Sequence, residues 1–238
     1  MPVPSRATTR PRTKQEFVYQ TLRAAIMRCE IAPGERLVID DLARRLEVSI
    51  IPVREALQLL QSEGLIANIP HVGATVAPVT RESILDVFTL LEGLGTVATR
   101  LVAERGNPVE LDMLAELVGQ MDEAIASGAL EHWAELNTRF HLEIGAMPGL
   151  RMLHETTARV LDTWHRVRRF YFQGVLQQRV AQAQQEHRDM LAAMRSRDFG
   201  ALAAVVRRHS QGALAAYLDF LDRGVGYTAK ERTEEVPS

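Results

Sequence analysis

The chain has 238 residues, 46% of them hydrophobic and 24% charged, with a formal net charge of −2; it can bury one large core or two modest ones, and no overall basic excess advertises nucleic acid, although a local patch stays open. Cys29 is the single cysteine, which excludes an internal disulfide and favours a reducing, cytoplasmic setting. No apolar run reaches the roughly 18 residues of a membrane span, so no membrane role is expected, and the polar start carries no secretory h-region.

Residues 1–13 lack hydrophobic periodicity and read as a flexible arm bearing Arg6, Arg10 and Arg12. From Gln15, Phe17, Val18, Leu22, Ala25 and Ile26 recur at helical spacing and predict a helix of about four turns. Ala32-Pro33-Gly34-Glu35 breaks it. A second helix is expected near Ile39–Leu46, with Asp40 and Asp41 in its first turn, where the helix dipole favours anions. After the short Glu47-Val48-Ser49 turn, a third runs from about Ile51 to Glu63, with Pro52 in its first turn and Gly64 ending it. Leu65-Ile66-Ala67 and Ala74-Thr75-Val76-Ala77 are β-prone, and the residues between them form a hairpin tip.

Three helices followed by a hairpin describe a winged helix-turn-helix, whose third helix would enter the major groove of DNA. A small helical domain without a DNA role is the alternative on shape alone. The string Val48-Ser49-Ile50-Ile51-Pro52-Val53-Arg54-Glu55-Ala56-Leu57, then Glu63-Gly64-Leu65-Ile66 and Pro70-His71-Val72-Gly73-Ala74-Thr75-Val76, resembles the GntR family of bacterial transcription regulators. The family pattern is V-S-R-T-P-V-R-E-A-L, then E-G-L and a glycine-tipped wing, and the likeness spans roughly Gln15 to Val79.

The resemblance implies binding to double-stranded DNA at a palindromic operator. Arg10, Arg12, Arg45, Ser49, Ile50, Ile51, Pro52, Arg54, His71 and Gly73 are the candidate contacts. Ser49 is expected both to cap the third helix and to reach a phosphate. Arg54 matches the family's helix arginine. Ile50 and Ile51 stand where the family commonly has Arg-Thr, and Val72 where it often has Arg before the wing glycine. An arginine reads guanine bidentately, whereas isoleucine touches only a thymine methyl, so an operator less dependent on guanine is expected. Alternatively, Ile50 and Ile51 are partly packed and the arm's Arg10, Arg12 and Lys14 supply more of the binding.

From Thr80 to Leu221 the pattern is helical almost throughout, with helices expected near 81–105, 108–127, 131–146, 149–173, 175–196 and 198–222. Gly106-Asn107-Pro108, Ser127-Gly128, Met147-Pro148-Gly149, Gly174 and Arg197-Asp198 mark the breaks. The fold class is thus mainly α: a winged helix-turn-helix over 14–79, an all-α antiparallel bundle of about six helices over 80–223, and a polar tail over 224–238.

Asn137 and His141 are four apart, hence on one helical face, while His187 and His209 follow on two later helices. Neutral imidazoles plus a carbonyl suit a divalent transition metal with open positions for water or ligand. A reader followed by such a domain is similar to the FadR subfamily, whose ligand domain (abbreviated FCD) has in its VanR-like branch an Asp/Asn-x-x-Phe-His segment and two further histidines that bind metal. That likeness implies Asn137, His141, His187 and His209 as ligands, Zn2+ or Ni2+ as the ion, a small carboxylate as effector, and a homodimer. Asn137 stands where the family more often has Asp, which weakens the metal's electrostatic hold. Each histidine taken singly reads more simply as a satisfied core or surface residue.

His132 and His154 read as surface residues. Trp164-His165-Arg166-Val167-Arg168-Arg169 is a basic run whose ordinary meaning is a solvated helix face. The sharper reading sends His165 or Arg168 into the bundle to grip an effector carboxylate, and Arg100 is a further candidate of that kind. Two other readings remain: a regulator with a structural or absent metal and a plain effector pocket, and a metal-dependent hydrolase. Against the hydrolase, Glu143 and Glu186 are expected to point away from the ligand set, leaving no placed general base.

Overall fold

In a computed structural model, the structure describes residues 13–170 and 172–223, without the side chains of 172–174 and 176; the arm with Arg10 and Arg12 and the tail over 224–238 lie outside them. The chain forms two compact units that meet in sequence between Thr80 and Arg81.

In the first unit, α1 (Lys14–Met27) starts on Thr13, whose side chain accepts from the Glu16 N–H at 3.0 Å. It is followed by α2 (Ile39–Arg45) and α3 (Ile50–Ser62). The turn between α2 and α3 is held by the Val48 N–H on the Ala43 carbonyl at 3.0 Å, with Glu47 in the left-handed region at φ 55. Strands β1 (Ile66–Ile69) and β2 (Gly73–Val76) pair antiparallel, Ile66 opposite Val76 and Ile69 opposite Gly73. The wing is anchored further back by an Arg36–Thr75 bridge and by the Leu37 N–H on Ala74 at 2.8 Å. Val18, Leu22, Ile26, Val53, Leu57 and Leu60 fill the core. Burying each such side chain contributes about 1.5–3 kcal/mol.

The second unit comprises α4 (Arg81–Arg105), α5 (Pro108–Ala126), α6 (Leu130–Ala146), α7 (Arg151–Phe170), α8 (Phe172–Ser196) and α9 (Phe199–Asp222). Local chemistry sets the starts of α5 and α9. Asn107 and Glu110 form a reciprocal capping box, and Asp198 accepts from the Ala201 N–H at 2.9 Å. Gly128 at φ 73 and Gly149 at φ 69 make the turns that follow α5 and α6.

The pairs α4/α9, α5/α8 and α6/α7 run antiparallel. Arg81 pairs with Asp222 and Phe88 with Tyr217 between α4 and α9. Asp122–Arg188 and Asp112–Arg195 clip α5 to α8, and Arg169–Glu131 ties α7 to α6. Gly174 is not the break expected of it: α8 begins at Phe172, so the glycine lies in its first turn. Glycine lowers helix propensity by roughly 1 kcal/mol, which a helix of this length absorbs.

Candidate functional site

The reader's exposed face is built at the start of α3. Ser49 occupies the N-cap position at φ −73 and ψ 167, but its side chain makes no capping hydrogen bond, so the expected double role reduces to an outward hydroxyl. Ile50 is 39% and Ile51 68% exposed, so Ile51 stands largely clear of the reader's core while Ile50 is partly packed. Arg54 is exposed one turn further on. Pro52 is buried with Val53, so it packs the reader's interior and is corrected as a DNA contact. Arg45 ends α2, exposed and 3.8 Å from Asp41. At the wing tip His71 is exposed at φ 64, just before Gly73 at φ 97. Arg36, not singled out from the sequence, borders a shallow cleft with Asn68 and His71.

In the helical unit α6 supplies Asn137 and His141, α8 supplies His187, and α9 supplies His209. Candidate ligand nitrogens of the three histidines all lie within 4.8 Å of one another. Their ring centroids are 5.4 Å (His141–His187), 5.4 Å (His141–His209) and 4.7 Å (His187–His209) apart. His187 is fully buried and Asn137 nearly so. The Oδ1 of Asn137 and the Nε2 of His187 are buried with no hydrogen-bond partner among the described residues. Two orphaned acceptors beside further imidazoles fit a divalent cation, since an unpaired buried polar atom otherwise costs about 1–3 kcal/mol.

Neighbouring side chains fix which nitrogens face that point. The Gln184 amide donates to the Val118 carbonyl at 3.0 Å and to Asp122 at 2.6 Å, while its Oε1 accepts from the Trp133 indole at 3.0 Å. That oxygen sits 3.4 Å from His187 Nδ1, so Nδ1 carries the proton and Nε2 keeps its lone pair. His209 Nδ1 likewise lies 2.9 Å from Glu186 Oε2. Arg179 holds that carboxylate through Nη1 at 3.2 Å and Nη2 at 2.6 Å. Burial pushes the Glu186 carboxyl up, but hydrogen bonds from His209 and Arg179 outweigh it and hold the group below its usual range. Burial, aided by the charge of His209, pushes His141 down to about 3 and keeps His187 well below its ordinary value. Both are neutral, the form a metal requires.

Glu186 therefore does not point away from the ligands. It lies 2% exposed against α9, because α8 buries this flank as well as the one carrying His187. Helical spacing predicts which residues share a face but not which neighbouring helix covers it. A same-face spacing of seven, Arg179 to Glu186, was the available signal.

Asn137, His141, His209 and Arg179 border a cavity of about 100 Å3. Trp164 borders it too, whereas Arg168 and His165 are absent from its lining. Arg168 is buried, stacked 5.5 Å over Trp164 with Nη2 3.2 Å from His165 Nδ1. Arg166 is buried as well, so the basic run is not the solvated face expected; of its charges Arg169 is the exposed one, paired with Glu131 at 3.5 Å. Arg100 is corrected as an effector contact: it stands on the outer face, ion-paired with Glu104 at 2.8 Å and 5.9 Å over the Phe199 ring. His132 and His154 are exposed, as expected.

Residues 14–76 match the family described as bacterial regulatory proteins, gntR family, and residues 86–212 match the FCD domain. An uncharacterised HTH-type transcriptional regulator in an unstable DNA locus of Streptomyces ambofaciens is 30% identical over 91% of this chain and 89% of its own length. The HTH-type transcriptional repressor GlaR of Escherichia coli is 26% identical over 80% and 90%. The structure of E. coli McbR/YncC superposes with a TM-score of 0.69 at 22% identity, covering 88% of this chain and 99% of that one, which bears on the fold alone. These families and relatives are transcription regulators rather than enzymes, which removes the hydrolase reading. The chain belongs to the GntR family of bacterial transcription regulators, with an FCD domain behind its DNA-binding module.

Proposed function

We propose that this regulator is a repressor of the FadR subfamily's VanR-like branch, a homodimer that reads a palindromic operator and senses a small organic acid at a divalent metal. The observation that carries this reading is the buried meeting of Asn137, His141, His187 and His209, two of whose acceptor atoms are left unpaired. Those four would hold Zn2+ or Ni2+, and the bound ion would offer an open position to an effector carboxylate. Gln184 and Glu186 orient two of the imidazoles, and outer partners of this kind raise ligand basicity. The likeness to the repressor GlaR favours repression over activation.

On the DNA side, Arg54 would contact a base edge or phosphate and Ser49 a phosphate, with Ile50 and Ile51 against thymine methyls. Arg45, His71, the Gly73 turn, and Arg10 and Arg12 of the arm would contribute along the backbone. The helical unit is both dimerisation and effector domain in this reading. Phe88, Leu91 and Gly95 of α4, the helix that directly follows the reader in sequence, wall the cavity. An acid preferring one packing of α4 would shift DNA affinity, provided its affinities for the two states differ.

Two measurements test this. Protein incubated with zinc or nickel and desalted should retain stoichiometric metal by elemental analysis; none retained overturns the metal site. A fragment from the protein's own upstream region should shift specifically at moderate salt and be released by an effector acid. Failure to shift under either condition counts against regulation.

A further inference from the structure

We propose that the cavity selects a carboxylate with an apolar body over a polyhydroxy acid; this rests on the metal-and-acid reading above. The space, about 100 Å3, admits on the order of seven to ten water-sized groups at about 10–15 Å3 each. Its polar groups gather at one end. Asn137, His141 and His209 meet there, and Arg179 joins them through its grip on the His209 carbonyl at 3.2 Å. Arg179 is 8% exposed, its terminal nitrogens are committed to Glu186, and its Nε has no hydrogen-bond partner among the described residues. A buried guanidinium N–H in the wall beside a ligand histidine suits the second oxygen of a metal-bound carboxylate.

The opposite end is mainly apolar, although the Tyr217 hydroxyl lies there and feels the charge of the buried Arg168. His209 and Tyr217 both border the cavity from α9, and eight residues of helix separate them by about 12 Å. There the Phe88 ring packs 5.5 Å from that of Tyr217, and Leu91, Leu161 and Trp164 complete the walls. The Thr157 hydroxyl is the one further orphaned polar atom among the described lining residues, enough for a single hydroxyl group. A row of hydroxyls along the Phe88, Leu91 and Leu161 walls would exceed the partners there.

Calorimetric titration of the zinc-loaded full chain with two six-carbon acids tests this, using hexanoate and gluconate, with acetate as the head group alone. Each buried methylene adds about fourfold in affinity, so hexanoate, four methylenes longer, should bind on the order of 250-fold tighter than acetate, and clearly tighter than gluconate. Leu91→Gln, on a half-buried wall position, should weaken hexanoate about tenfold and acetate far less. Gluconate binding as tightly as hexanoate, or equal losses for hexanoate and acetate in the variant, overturns the inference. Acid binding that disappears on chelation would still leave the metal-and-acid reading standing. If no acid binds, or removing zinc changes no affinity, that reading fails and the inference falls with it.

Discussion

Gln184 and Glu186 decide what His187 and His209 present to the centre, and each is itself held by groups outside it. Gly212 belongs to this arrangement although it touches no ligand. A Cβ there would stand 2.6 Å from Arg179 Nη2 and 2.9 Å from Cζ, so α9 leaves a gap for the guanidinium. Because the obstructed group ends a flexible side chain, Gly212→Ala should move Arg179 off Glu186 and leave the helix intact. The expected result is roughly tenfold weaker zinc binding by competition with a chromophoric chelator, with unchanged helical circular dichroism. Unchanged zinc affinity would show that the clamp on Glu186 is irrelevant to the centre. Asn137→Asp should tighten zinc by adding a negative charge where an amide now sits, and His187→Ala should weaken it; the reverse order would place the ion elsewhere. The four candidate ligands were legible in the sequence because i, i+4 spacing puts Asn137 and His141 on one face. Arg179, Gln184 and Glu186 were not, since their roles depend on which helix packs over each flank of α8.

Among the elements, α7 shows why charge count misleads. Arg166 and Arg168 are buried although six consecutive residues there look solvated, because the helix packs inward on both sides of Trp164. The stack has a pH consequence. Burial, then the nearby Arg168 charge, pushes His165 from an ordinary 6.5 down to about 4. Between those values the unfolded chain binds the proton and the folded one does not, so this contribution to stability is lost as pH falls from about 6.5 through about 4. Urea midpoints at pH 7.5 and 5 should therefore differ less for His165→Gln than for the parent, and an identical difference would exclude His165 as a source of acid sensitivity. In α3 the roles divide by face. Arg54→Ala should weaken specific operator binding by about 1–3 kcal/mol in a gel-shift titration, with an unfolding midpoint near the parent's. Pro52→Ala should act on stability instead, because Pro52 is buried. Periodicity and caps made these helices readable, whereas the start of α8 was misplaced because glycine is a weak breaker inside a long helix.

For the whole molecule, the division at Thr80/Arg81 separates two hydrophobic cores, one built on Val18, Leu22 and Leu60 and the other on Leu114, Phe140 and Leu202. All four candidate metal ligands belong to the second. Metal that binds only the folded helical unit stabilises it by about 2.7 kcal/mol at a hundredfold excess over Kd. Calorimetric scans with zinc should therefore move one transition upward by several degrees and leave the reader's transition where it was, with chelator reversing the shift. A unit of this size shifts by roughly 2–4 °C per kcal/mol, so the displacement is measurable. Parallel movement of all unfolding signals would mean that the two cores melt as one, and zinc would then stabilise the reader through the helical unit. If no transition moves at saturating zinc, the orphaned Asn137 Oδ1 and His187 Nε2 are not metal ligands, and their burial has to be explained by the apolar cavity alone.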